Sequence, residues 1–344
     1  MQTLKKILFI LNPKERKQAL LLMIMILIMA FLDMLGIASI LPFMAVLTNP
    51  DVVETNIFLN KMFQALKLFG IENNKQFLFA LGVLVFLLLV IGIIFKALTT
   101  YAQIRFTKMR EYSVTKLLVE CYLRQPYSWF LNRNSADLSK TVLSEAGNVT
   151  GSGIKPLIDL LATGMVVIAI ITLLFFIDIK LALTIGLSFG IIYGLIFKFS
   201  KRYLNRLGEE KVTQNKNRFM ALSEALGASK EIKVGGLEQV YIKRFSKSAE
   251  KFGENQTSAS IIAALPRFAI EVVAFGGVML LILYLMLQKG SFNNALPIIS
   301  LYIFAGYRLM PALQQIYVSM TELTFVGPSL DLLYDDIKNL RSFD

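Results

Sequence analysis

Charged side chains sit inside, or at the end of, stretches that are otherwise apolar, among them Asp33, Lys96, Arg267, Glu271, Arg308 and Glu322. A charge at membrane depth is costly, so each marks a pair or a site. Arg267 and Glu271 are four residues apart and share a helical face, where they can neutralise each other or face a ligand. Arg308 lies about 13 residues into its apolar stretch and has no acidic residue within four positions. It needs a water-filled cavity, an anionic ligand, or a partner on another helix such as Asp33. A guanidinium keeps its charge and offers a two-pronged donor fork, which suits phosphate oxygens.

Other chemistry is excluded by residue type. The chain has no histidine and one cysteine, Cys121, so histidine catalysis and an internal disulfide are ruled out and a zinc site is not expected. No G-x-x-x-x-G-K-[ST] loop occurs, so this sequence cannot itself cradle a nucleoside triphosphate.

The elements that must hold these charges are long apolar helices. Of the 344 residues, 55% are hydrophobic and 17% charged, outside the range of soluble domains. Six apolar blocks approach or exceed the length needed to span a bilayer: 19–47, 77–95, 157–177, 181–199, 268–287 and 295–326. The first is too long for a cleavable leader and is read as a retained span. The net charge of +12 is unevenly placed: Lys and Arg number 5 in 1–18, 9 in 96–156 and 14 in 198–267, against 3 in 48–76 and 1 in each of 178–180 and 288–294. Positive charge stays cytoplasmic, so both termini are expected inside, and the basic balance reports topology rather than nucleic-acid binding.

Two polar gaps of about 60 residues separate spans on the inner side, while two of the outer gaps are only a few residues long. Both inner gaps are rich in helix formers. Each is expected to be two helical arms of about 25 residues, about 38 Å long, folded at an elbow. The elbows fall at Pro126–Arg133 and around Gly227 and Gly235–Gly236. After the first span, residues 52–69 form an expected external amphipathic helix, with Phe58, Met62, Phe63, Leu66 and Phe69 on one face. Residues 328–344 turn polar and read as a linker towards a further domain.

This layout resembles the transmembrane domain of an exporter-type ABC transporter, an all-α membrane fold of six spans extended into the cytoplasm. The stretch "YSWFLNRNSADLSKTVLSEAGNV" from Tyr127 is similar to that family's first coupling region, and "SEALGASKEIKVGGLEQVYIKRF" from Ser223 to its second. The resemblance implies that elbow residues dock on a nucleotide-binding domain that carries ATP and Mg, with no cofactor in this chain. Those residues would be Ser128, Trp129, Phe130 and Arg133 in the first elbow, and Gly227, Lys230, Glu231 and Lys233 in the second. The external helix, "LPRF" (Leu265–Phe268) and "YRLMPAL" (Tyr307–Leu313) further resemble the lipid-linked oligosaccharide flippases of bacterial protein N-glycosylation. That likeness implies a homodimer in the bacterial inner membrane, moving a polyprenyl-pyrophosphate glycan. Arg267 and Arg308 would engage its pyrophosphate, with Lys96 the candidate for a third cation that no motif fixes, and the external helix would engage its tail. Two other readings stay open: an exporter of lipids, drugs or peptides, and a channel or scaffold whose cytoplasmic helices bind partners.

Overall fold

The computed structural model describes residues 6, 7, 9, 12–50, 52–67, 73–131, 133–177, 179–287 and 292–341; some side chains within the helices near 66–67, 180–192, 269–287 and 292–302 lie outside that description. Among the described residues there are helices and no strands. In chain order they are α1 (Pro13–Ala38), α2 (Ile40–Thr48), α3 (Val52–Thr55), α4 (Ile57–Lys67), α5 (Asn74–Leu123), α6 (Tyr127–Leu131), α7 (Ser135–Ile177), α8 (Ile179–Gly227), α9 (Ser229–Gly235), α10 (Glu238–Leu287) and α11 (Phe292–Arg341).

Length is the dominant feature. Helices α5, α10 and α11 each run 50 residues, or about 75 Å at 1.5 Å per residue, while a bilayer core is about 30 Å thick. Each is therefore long enough to cross and continue, because backbone hydrogen bonding is satisfied within the helix in lipid and water alike. Among the described residues three helical stretches are long and apolar enough to cross by composition: Pro13–Thr48, Asn74–Leu123 and Ser135–Ile177. Their apolar faces, such as Leu20, Ile24 and Leu27 on α1 and Phe79, Phe86 and Ile94 on α5, are exposed in the isolated chain. The other three expected spans fall in α8, α10 and α11.

The core is built from α1, α5, α7 and α11, with Ile26, Leu118, Val149, Ile170, Leu174 and Leu333 almost wholly buried. Helix α10 packs on α8 and α11. Gly208 on α8 faces the backbone of α11: a methyl group there would fall well inside contact distance of the Phe325 carbonyl oxygen and 3.2 Å from Pro328 Cδ.

The structure refines three expectations. Residues 328–341 are helical. They continue α11, and Leu330, Leu333, Ile337 and Leu340 are buried at a spacing of three or four. The segment before α1 closes on this end, with Lys6 Nζ 2.7 Å from Asp331 and the Phe9 and Tyr334 rings packed edge to face. The Asp331 carboxylate raises the Lys6 pKa.

Second, the external segment is two helices broken at Asn56, whose side-chain oxygen accepts from the Phe58 amide at 3.0 Å. Leu59, absent from the expected lipid face, is buried with Val46, Val53, Phe77 and Leu81, and Met62 and Phe63 pack against that cluster. Ile57 and Phe58 point outward. Phe69 and the side chain of Leu66 lie outside the described residues. Phe63 meets Phe77 edge to face at 5.2 Å, a contact worth about 1 kcal/mol beyond burial. Phe63→Ala should therefore speed protease cleavage of the 49–73 segment several-fold, whereas Phe58→Ala should leave the digestion rate unchanged.

Third, Trp129 and Phe130, expected on the docking surface, also pack within the elbow itself. The Trp129 ring packs on Tyr122 at 5.6 Å and on Phe130 at 5.1 Å, and Arg133 lies 5.1 Å above it. They brace the elbow from within.

Candidate functional site

The membrane half holds an open cleft of about 880 Å³ between α1, α5, α7, α10 and α11. It gathers all three cations singled out in the sequence, Lys96, Arg267 and Arg308, with the carboxylates Asp33 and Glu271. Each cation reaches it from a different helix: α5, α10 and α11. Arg308 Nη1 lies 3.2 Å from Asp33 Oδ1, across from α11 to α1, and Asp33 is buried. Arg308 is thus paired across helices with Asp33 and also lines the cleft. Arg267 Nε donates to Glu271 Oε1 at 3.0 Å along α10, and both side chains remain well exposed. Three cations against two carboxylates leave the cleft mildly basic, and among the described residues Lys96 has no ion pair. Tyr307, Gln314 and Gln315 add polar groups to the wall.

The two elbows lie at the far ends of the arms, one after α5 and the other after α8. Asn134 caps α7, its side-chain oxygen accepting from the Ala136 amide at 2.9 Å. In the second elbow Gly236 closes α9 with φ +64°, a left-handed cap that favours glycine, and the Leu237 amide donates to the Ile232 carbonyl at 3.0 Å. Gly227 ends α8 rather than belonging to the elbow helix, which starts at Ser229. Lys230 and Glu231 are exposed, and Lys233 bonds Glu238 at 3.0 Å, which holds the Glu238 carboxyl below its ordinary pKa. Both tips expose large apolar side chains: Leu123, Tyr127 and Leu131 on one, Leu226, Val234 and Val240 on the other. Clustered exposed apolar surface of this kind marks protein contact.

Between cleft and elbows lies a buried polar network that sequence reading missed. Asn215 on α8 donates to Glu145 Oε1 at 2.7 Å and to Ser144 Oγ at 3.1 Å, and Arg218 donates to the Asn215 side-chain oxygen at 2.7 Å. Arg218 also lies 4.2 Å from the Phe252 ring on α10. Lys211 is buried over the Phe325 ring at 4.8 Å; burial lowers its pKa, and Glu145 opposes that. Glu145 closes a π-helical turn, Thr141–Glu145, and a second π turn spans Thr150–Ile154. The local signal was slight: polar residues in an arm look solvated until a partner about 70 residues away is known.

A membrane bundle of helices prolonged into paired arms, with a charged cleft within and apolar elbow tips beyond, is the form of a multi-pass transport domain driven from outside the membrane. Residues 19–312 match the family described as ABC transporter transmembrane region, and the chain belongs to that family. It is accordingly a membrane transport domain of the exporter type, and such domains work with a nucleotide-binding domain.

Proposed function

We propose that this chain is the membrane domain of an ATP-driven flippase for a polyprenyl-pyrophosphate oligosaccharide in a bacterial inner membrane. The observation that carries the reading is the gathering of Arg267, Arg308 and Lys96 on one cleft from three separate helices. A pyrophosphate carries several negative charges and needs cationic partners as it leaves water. Arginine forks meet that need, and both arginines are held ready by carboxylates they can partly release. Two copies of the chain would face each other to complete the cleft, with both termini cytoplasmic. ATP and Mg would be bound by nucleotide-binding domains seated under Leu123, Tyr127, Leu131 and Leu226, Val234, Val240, and their closure would swing the arms. The polyprenyl tail would stay in lipid, meeting Ile57 and Phe58 at the outer rim.

A second reading is export of an apolar molecule. It is favoured by an apolar pocket of about 340 Å³ between α7, α8 and α11, lined by Tyr193, Phe197, Leu313 and Tyr317 among others. One assay separates the two. Proteoliposomes holding the complete transporter are supplied with ATP and either a polyprenyl-pyrophosphate glycan or the same glycan on an uncharged lipid. The flippase reading expects ATP-dependent movement of the first at least tenfold faster than of the second. Equal rates, or movement of neither, would overturn it.

A further inference from the structure

Below the cation cleft, on the side of the arms, lies a second cavity of about 500 Å³ between α7, α8, α10 and α11. Gln314 lines both, so the two are neighbours. The lining chemistry differs. The second cavity has amides and hydroxyls from Asn148, Gln256, Gln314 and Thr321, with Lys211 and Glu322 as one cation and one carboxylate. The two charges are of opposite sign, so the lining does not select an anion.

Thr321 is 1% exposed and lines this cavity, yet its hydroxyl has no hydrogen-bond partner. Helical threonines elsewhere in the chain satisfy theirs on the carbonyl four residues back, as Thr99, Thr107, Thr150, Thr163, Thr172 and Thr324 all do. The buried amide nitrogen of Asn148 is also unpartnered and lines the same cavity. A buried polar group left unpaired costs about 1–3 kcal/mol. Two such groups converging on one polar cavity point to a ligand that both donates and accepts hydrogen bonds.

We propose that this cavity is a sugar-binding subsite, which holds the glycan of the substrate while the cation cleft holds its pyrophosphate. This rests on the flippase reading above. Amides and hydroxyls are the groups that match sugar hydroxyls, and Ser152 and Ser260 add two more hydroxyls to the wall. Spacing agrees: from Arg308 to Thr321 is 13 residues of one helix, or about 20 Å. That leaves room for several sugar units on the side of the arms, the order in which a lipid-linked glycan would lie with its tail in the bilayer.

The test uses the complete transporter in nanodiscs and two probes: polyprenyl pyrophosphate bearing one N-acetylhexosamine, and the same lipid bearing a linear hexasaccharide. Stimulation of ATP hydrolysis gives an apparent affinity for each. In Asn148→Leu/Thr321→Val the preference for the hexasaccharide lipid over the single-sugar lipid should fall about tenfold, as the loss of two hydrogen bonds predicts. Thr321→Ser, which keeps the hydroxyl, should retain the preference. An unchanged preference in the double variant, or its equal loss in Thr321→Ser, overturns the subsite while leaving the flippase reading in place. If the native transporter answers to neither lipid, the flippase reading fails. The subsite is then decided by equilibrium dialysis of the free radiolabelled hexasaccharide: binding to the native protein but not to the double variant supports it, and no binding ends it.

Discussion

Arg308→Ala should cost the protein both stability and transport, and the double variant Asp33→Asn/Arg308→Gln should recover only the first. Asp33 is 5% exposed and its described ion partner is Arg308, 3.2 Å away. Removing the arginine alone strands a buried carboxylate, which costs about 3–5 kcal/mol. Neutralising both partners removes that penalty, and replacing a buried ion pair by neutral groups is often close to neutral in stability. Transport of a pyrophosphate lipid should behave otherwise. A charge-assisted hydrogen bond to the ligand is worth about 1.5–3 kcal/mol, so its loss lowers apparent affinity about ten- to a hundredfold in the single and the double variant alike. Thermal unfolding and flipping rates measured on the same preparations separate the two effects. A double variant that both unfolds and transports like the native protein would make Arg308 a scaffold residue with no part in binding.

Gly208→Val should be the most damaging small change in the arms. The site has no room for a Cβ, because the obstruction is the Phe325 carbonyl, which is backbone and cannot rotate away as a side chain would. Helix α8 must move from α11, opening a packed seam and exposing Leu204 and Leu207, which are buried on it. Overpacking of this kind costs about 1–3 kcal/mol, and a backbone obstruction belongs at the upper end. Gly253→Ala on α10 is the matched control, since nothing lies within 4 Å of its added methyl. There the loss of backbone freedom in the unfolded chain should stabilise by about 0.5–1 kcal/mol. A Gly208→Val protein with native unfolding temperature would refute the close seam.

The parts of the fold that were legible in the sequence were those set by one helix at a time. Unbroken apolar blocks running on into Ala-, Glu- and Lys-rich arms make helices of 43 to 50 residues with breakers at the tips. Arg308 was legible as a group in need of a partner, because an isolated charge in an apolar block has few outcomes. What depended on a second helix was not legible. The Glu145–Asn215–Arg218 network joins residues that look solvated in their own arms. The π turns at 141–145 and 150–154 leave no mark in residue type. The inward turn of Met62 and Phe63 depends on other helices, α2 and α5, whose Val46, Phe77 and Leu81 receive them together with Leu59. One signal was present but outweighed: Leu330, Leu333, Ile337 and Leu340 repeat every three or four residues, and the acidic residues between them gave the stretch the look of a linker.

Recognition of a lipid pyrophosphate in the cleft can be read directly by photo-crosslinking. A polyprenyl-pyrophosphate glycan with a photoreactive group beside the phosphates is bound to the native transporter, irradiated, and mapped by mass spectrometry. Crosslinks should fall on the cleft wall, in peptides holding Thr163, Arg267 and Tyr307–Gln315, and should be displaced by excess unlabelled lipid. Crosslinks confined to the lipid-facing side of α5 or the outer rim at Ile57 and Phe58, or not displaced by that excess, would contradict it.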